Sequence, residues 1–142
     1  MNTMYGKILV AVDQSEMSDR AVLAARDLAT LSNGEVWVLH LREREIATKT
    51  GVVLTDETME DAKAEVAGAI EVLTQAGVKA HGEVGHTLYG HAARSIVDDA
   101  IEHDVDVIVM GSRGRGDLAG LILGSTAHKV IHLTDRPVLI IR

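Results

Sequence analysis

Five glycines, Gly111, Gly114, Gly116, Gly120 and Gly124, fall within fourteen residues and run straight into Ser125 and Thr126. Lacking a Cβ, glycine lets backbone N–H groups approach an anion closely and lets the chain turn through positive φ. Gly124-Ser125-Thr126 reads as a helix start, where unpaired N–H groups and the positive end of the dipole attract phosphate. The hydroxyls of Ser125 and Thr126 are further donors. The charges agree. From Ser112 to Lys129, Arg113, Arg115 and Lys129 stand against Asp117, a net of +2, whereas from Glu43 to Glu65 seven acids face three bases. A basic glycine loop on a chain of net charge −7 is what an anion pocket needs.

Known phosphate-loop spacings do not fit. No Gly-x4-Gly-Lys-Ser/Thr is present, and Gly114-x-Gly116-x3-Gly120 misses the dinucleotide pattern. On spacing alone, a solvated surface loop leading into a glycine-started helix stays open as the alternative.

The surrounding elements can be read from periodicity. Lys7 to Asp13 is a nearly continuous apolar strand ending in a carboxylate. Met17, Ala21, Ala24, Ala25, Leu28 and Leu31 form one helix face, closed by Asn33-Gly34 as a glycine C-cap. Glu35 to Leu41 is a second strand, and residues 43 to 55 read as a loop. Thr55 caps a helix with Met59, Ala62, Val66, Ala69, Ile70 and Leu73 on one face. Val78 to Val84 alternates like a half-exposed edge strand. Tyr89, Ala92, Ala93, Ile96, Val97, Ala100 and Ile101 make a third helical face. Val105 to Met110 is a buried strand, residues 125 to 134 a helix, and Val138 to Ile141 a last strand after Pro137.

Strands alternating with helices predict an α/β fold: a doubly wound, five-stranded parallel sheet with helices on both faces. Such sheets bind ligands beyond the strands' carboxyl ends, where the strand order reverses. The first strand runs into Asp13 and the fourth into Met110-Gly111-Ser112-Arg113-Gly114, so the site is expected between them.

Composition narrows the classes. The 142 residues suit one domain, 1–142, and 46% are apolar, yet only 2% are aromatic and none is Phe. Base-stacking platforms and a general nucleic-acid binder are therefore not expected, given the acidic charge. No Cys is present, which removes disulfides, thiol catalysis and Cys-ligated zinc. The short apolar run near the start suggests neither a signal peptide nor membrane insertion, so a cytoplasmic location is the default.

Gly111-x2-Gly114-x9-Gly124-Ser125 matches the Gly-x2-Gly-x9-Gly-Ser/Thr signature of nucleotide-binding universal stress proteins. Ile8-Leu-Val-Ala-Val-Asp13-Gln-Ser15, Leu121-Ile-Leu-Gly-Ser125 and Arg136-Pro-Val-Leu-Ile-Ile-Arg142 are similar to other segments of that family, so the resemblance covers the whole chain. It implies strand order 3-2-1-4-5 and ATP, or AMP or ADP, between strands 1 and 4, with Mg²⁺ held through the phosphates. Residue by residue, it implies Ala11, Val12 and Asp13 near adenine and ribose. Val38 to His40 would flank the base, and Met110 and Gly111 border the ribose. Gly114 would meet the phosphates, with Gly124, Ser125 and Thr126 holding phosphate oxygens. Arg113 is counted with the site, although the signature does not fix it and a solvated loop charge explains it equally well. Gln14 departs from the glycine frequent in the family.

Other features have plainer readings. Asp13-x-x-Glu16 resembles a capping box. His128 and His132 have metal-capable spacing but neither an intervening Glu nor a third ligand, so no metal held directly by protein is expected. His86 and His91 read as loop and surface residues, Trp37 and Tyr89 as packing. The apolar edge strand Val138–Ile141 predicts a homodimer, as does the resemblance. The favoured function is a nucleotide-binding stress sensor or regulator acting on an unidentified protein partner. The alternatives are a slow ATPase or nucleotide hydrolase, for which no dedicated base is evident, and a nucleotide-free dimeric stress protein.

Overall fold

Ile8–Val12 and Val107–Gly111 carry no charged residue because they lie side by side in the middle of a sheet covered on both faces. The structure, a computed structural model, describes residues 4–46, 50–51, 53–54, 57–114, 117 and 120–142. In chain order the elements are β1 (Lys7–Val12), α1 (Glu16–Ser32), β2 (Glu35–Ile46), β3 (Val53–Leu54) and α2 (Met59–Gln75). There follow β4 (Lys79–Leu88), α3 (Ala92–Glu102), β5 (Val107–Gly111), α4 (Ser125–Leu133) and β6 (Val138–Ile141).

Five strands are parallel, in the order β4-β2-β1-β5-β6. Counting parallel strands alone, this is the 3-2-1-4-5 order that the resemblance implies. The chain moves outward from β1 through β2 to β4, then returns to β5, so the reversal lies between β1 and β5. Strand parity divides the core in two. Val10, Val38 and Val109 face the helices α1 and α2, packing with Ala21, Ala25, Val66 and Leu73. Leu9, Leu39, Ile108 and Met110 face α3 and α4, packing with Ile96, Val97, Ala127 and Val130.

Several boundaries differ from expectation. β2 runs to Ile46 and pairs antiparallel with β3, where a loop was expected. The register explains why. β1 ends at Val12↔His40, but β4 continues beside β2 to Arg44↔Leu88. That projecting ribbon leaves the helix layers behind, so Arg42-Glu43-Arg44-Glu45 suits it although no apolar period marks it. β4 likewise takes in His86. The cap of α2 is Thr58, whose Oγ accepts from the Asp61 N–H at 3.1 Å; Thr55 lies outside the described residues. At the end of α1 the left-handed residue is Asn33, φ 53°, rather than Gly34. Tyr89 is 74% exposed in the turn before α3 and packs on nothing central. Among the described residues, no helix is long and apolar enough to cross a membrane.

Candidate functional site

The carboxyl ends of β1 and β5 lie side by side and α4 starts against the end of β5, which makes this the candidate cleft. Ser15, not Asp13, caps α1, its Oγ accepting from the Ser18 N–H at 3.1 Å. Asp13 sits one step back. Its Oδ1 accepts from the N–H and hydroxyl of Ser15, and its own N–H donates to Ser18 Oγ at 3.0 Å. Its other oxygen faces the glycine loop: a Cβ on Gly114 would lie 2.7 Å from Asp13 Oδ2.

The signature glycines are required for space. None of Gly111, Gly114 and Gly124 has positive φ. A Cβ on Gly111 would meet Met17 Cβ at 2.7 Å, and one on Gly124 would lie 3.2 Å from the Ser112 carbonyl oxygen and overlap the Asp117 carboxylate. The Gly124 N–H donates to that same Ser112 carbonyl at 2.6 Å, tying the start of α4 to the end of β5. A side chain at any of these points would drive strand, loop and helix apart. Arg115 and Gly116 lie outside the described residues.

Parity decides which residues line the floor. Ala11 pairs in register with Leu39, and both share a face with Leu41 and Met110. Val38 belongs to the opposite face with no exposed surface, so the structure does not bring its side chain to the cleft. Of the two β2 leucines, Leu39 lies within the Val38 to His40 stretch named from the sequence, whereas Leu41 is a residue that the sequence reading missed. The parallel register that reveals them is a long-range property. Val12 is also turned to the α1–α2 face and contributes backbone. Asp13 lies against Gly114, and Gly114 and Gly124 both lie against Asp117; Ala11, Met110 and Gly111 belong to the adjoining strand ends, Arg113 follows β5, and Ser125 and Thr126 open α4.

A buried ring braces this end of the sheet. His40 is 3% exposed. Its Nδ1 lies 2.7 Å from the Val12 carbonyl oxygen, and its Nε2 lies 2.7 and 2.8 Å from the two oxygens of Glu57. A carbonyl only accepts, so Nδ1 is the donor. Gln14 adopts φ 69°, which accounts for the family's glycine there. Two glutamates hold it: its N–H donates to Glu65 and its side-chain amide to Glu57, each at 3.2 Å. Burial, and to a lesser extent nearby acids, raises the Glu65 carboxyl above its ordinary value. Burial and then the charge of Asp13 do the same to Glu43. The β1–β2 end of the cleft is therefore acidic, and the glycine end offers N–H groups.

Away from the cleft, Glu83, Asp99 and His103 place ligand-type atoms within 4.8 Å of one another, the one such group of three among the described residues. Burial, then the hydrogen bond and charge of Glu83, push Asp99 up to about 8. A proton held between the carboxyls relieves their repulsion, so the arrangement is self-consistent without a cation. His103 stacks on Trp37, which stacks on His81, with ring centroids 5.3 and 4.9 Å apart. The His128 and His132 rings meet edge to face at 4.5 Å.

Comparison with known proteins agrees with this geometry. The model of the universal stress protein family matches residues 4–142. Universal stress protein YxiE of Bacillus subtilis is 39% identical, the alignment covering 98% of this chain and all of that one. The structure of MJ0577, a universal stress protein of Methanocaldococcus jannaschii, superposes with a TM-score of 0.80 at 26% identity, covering 97% of this chain and 96% of that one. A universal stress protein from Archaeoglobus fulgidus, solved in complex with dAMP, gives 0.73 at 26% identity over 98% of this chain and 99% of that one.

Proposed function

The chain belongs to the universal stress protein family, and on that premise we propose that it binds an adenine nucleotide, ATP foremost, across the ends of β1 and β5. The carrying observation is the crowding at Gly111, Gly114 and Gly124, where a Cβ would push the end of β5 away from Met17, Asp13 and the start of α4. Ala11, Leu39, Leu41 and Met110 offer the base an apolar floor. Asp13 offers a carboxylate oxygen to ribose hydroxyls. Gly114 and the first turn of α4, with Ser125 and Thr126, offer donors to phosphate. Arg113 adds positive charge at the mouth, and Mg²⁺ would be held through the phosphates.

Occupancy would act as a regulatory signal. A ligand that prefers one arrangement of the loop shifts the population toward it and alters what a partner protein meets. Turnover is expected to be weak or absent, since one oxygen of Asp13 is taken up by Ser15 and, among the described residues, β5 ends in no carboxylate. A homodimer through β6 fits the same reading. That strand pairs on one side with β5, and Leu139 remains 39% exposed.

The test is extraction of small molecules from the purified, denatured protein, followed by calorimetry with Mg-ATP. Near-stoichiometric adenine nucleotide, or calorimetric binding abolished by Gly124→Val in a folded variant, supports the site. Equal affinity in wild type and Gly124→Val would overturn it.

A further inference from the structure

Two hydrogen bonds tie Asp117 to Gly114. Its N–H donates to the Gly114 carbonyl at 3.2 Å, and its Oδ2 accepts from the Gly114 N–H at 2.6 Å. The same oxygen lies against the start of α4: a Cβ on Gly124 would overlap it, and one on Gly114 would come within 3.7 Å. One carboxylate oxygen thus stands between Gly114 and Gly124, the two glycines assigned above to the phosphates. Gly124 is crowded because this anion already lies beside it, while Gly114 is crowded first by Asp13 Oδ2, at 2.7 Å.

A carboxylate resembles a phosphate in the respects that matter here. It is negative, it only accepts hydrogen bonds, and a helix start favours it on the same grounds. By accepting from Gly114 it satisfies an N–H that an empty loop would leave without a protein partner. Asp13 Oδ2 faces Gly114 from the β1 side. An entering phosphate would meet two carboxylates around one glycine.

We propose that Asp117 is an internal anion occupying the phosphate position of the free chain, and that a nucleotide binds by displacing it. This inference rests on the nucleotide reading of the glycine loop. Where a competent state is only fractionally populated, apparent affinity falls by that fraction. Charge-assisted hydrogen bonds are strong enough that roughly one chain in ten would leave the position open, weakening binding about tenfold.

Asp117→Ala and Asp117→Asn test this by calorimetry with Mg-ATP, alongside the amide spectrum of the nucleotide-free protein. Asp117→Ala should bind about tenfold tighter than wild type. Asp117→Asn, which keeps an acceptor but loses the charge, should fall between them. In the nucleotide-free spectrum the Gly114 amide proton should move upfield in Asp117→Ala. Equal or weaker binding by Asp117→Ala, or an unmoved Gly114 amide, would overturn the internal-anion assignment while leaving nucleotide binding intact. If folded wild type and both variants all fail to bind any adenine nucleotide, the nucleotide reading falls, and this inference with it.

Discussion

The Nδ1 of His40 lies 2.7 Å from the carbonyl oxygen of Val12, so a buried ring at the end of β2 holds the strand that presents Asp13. Replacing it with leucine preserves bulk but removes the ring's hydrogen bonds to the Val12 carbonyl and to Glu57. His40→Leu should lower stability by about 2 kcal/mol or more. Urea denaturation monitored by circular dichroism reads this directly; an unchanged midpoint would show that the ring is dispensable.

Gly111 meets the start of α1 closely enough that a single added methyl group should be felt. A Cβ there would lie 2.7 Å from Met17 Cβ. Gly111→Ala should cost about 1–3 kcal/mol through overpacking. Thermal melting with and without Mg-ATP separates this loss of stability from any loss of affinity.

Asp99 makes stability depend on pH. Its folded value, about 8, lies above the ordinary 3.8, so the folded chain keeps a proton that the unfolded chain releases. That contribution is complete below the ordinary value and disappears as pH rises through the folded one. The groups facing Asp99 are Glu83, Glu102 and His103. Asp99→Asn should therefore gain on wild type between pH 5 and pH 9. Parallel denaturation curves for the two proteins across that range would contradict the assignment.

Gln14 occupies left-handed backbone, φ 69°, held by Glu57 and Glu65. A β-branched residue tolerates that conformation poorly. Gln14→Val should lose about 1–2 kcal/mol, whereas Gln14→Gly, trading strain and two-sided anchoring against chain entropy, should change stability by less than about 1 kcal/mol. Equal melting temperatures for all three chains would mean that the turn is set elsewhere.

Much of this architecture is legible in the sequence because the central strands must be apolar on both faces. Ile8–Val12 and Val107–Met110 could be nothing else, and their ends name Asp13 and Gly111. What escaped the reading depends on partners distant in the chain. The extension of β2 through Arg42–Ile46 exists because β4 lies beside it. Val38 and Leu39 are equally apolar, and the register with β1 alone puts Leu39 on the face of Ala11 and Met110. Asp117 counted in the sequence only as one charge against three. Its importance comes from the fold of a turn that sets its oxygen against Gly124.

Trp37 is the sole tryptophan, and it is sandwiched between two imidazoles. The chain therefore carries its own optical probe at the β2–β4 border. Its emission changes when either ring leaves the stack, so it reports the packing of that edge. A melting curve taken by tryptophan emission alone therefore describes the rim of the sheet. A second probe is needed wherever the stability of the cleft is the question.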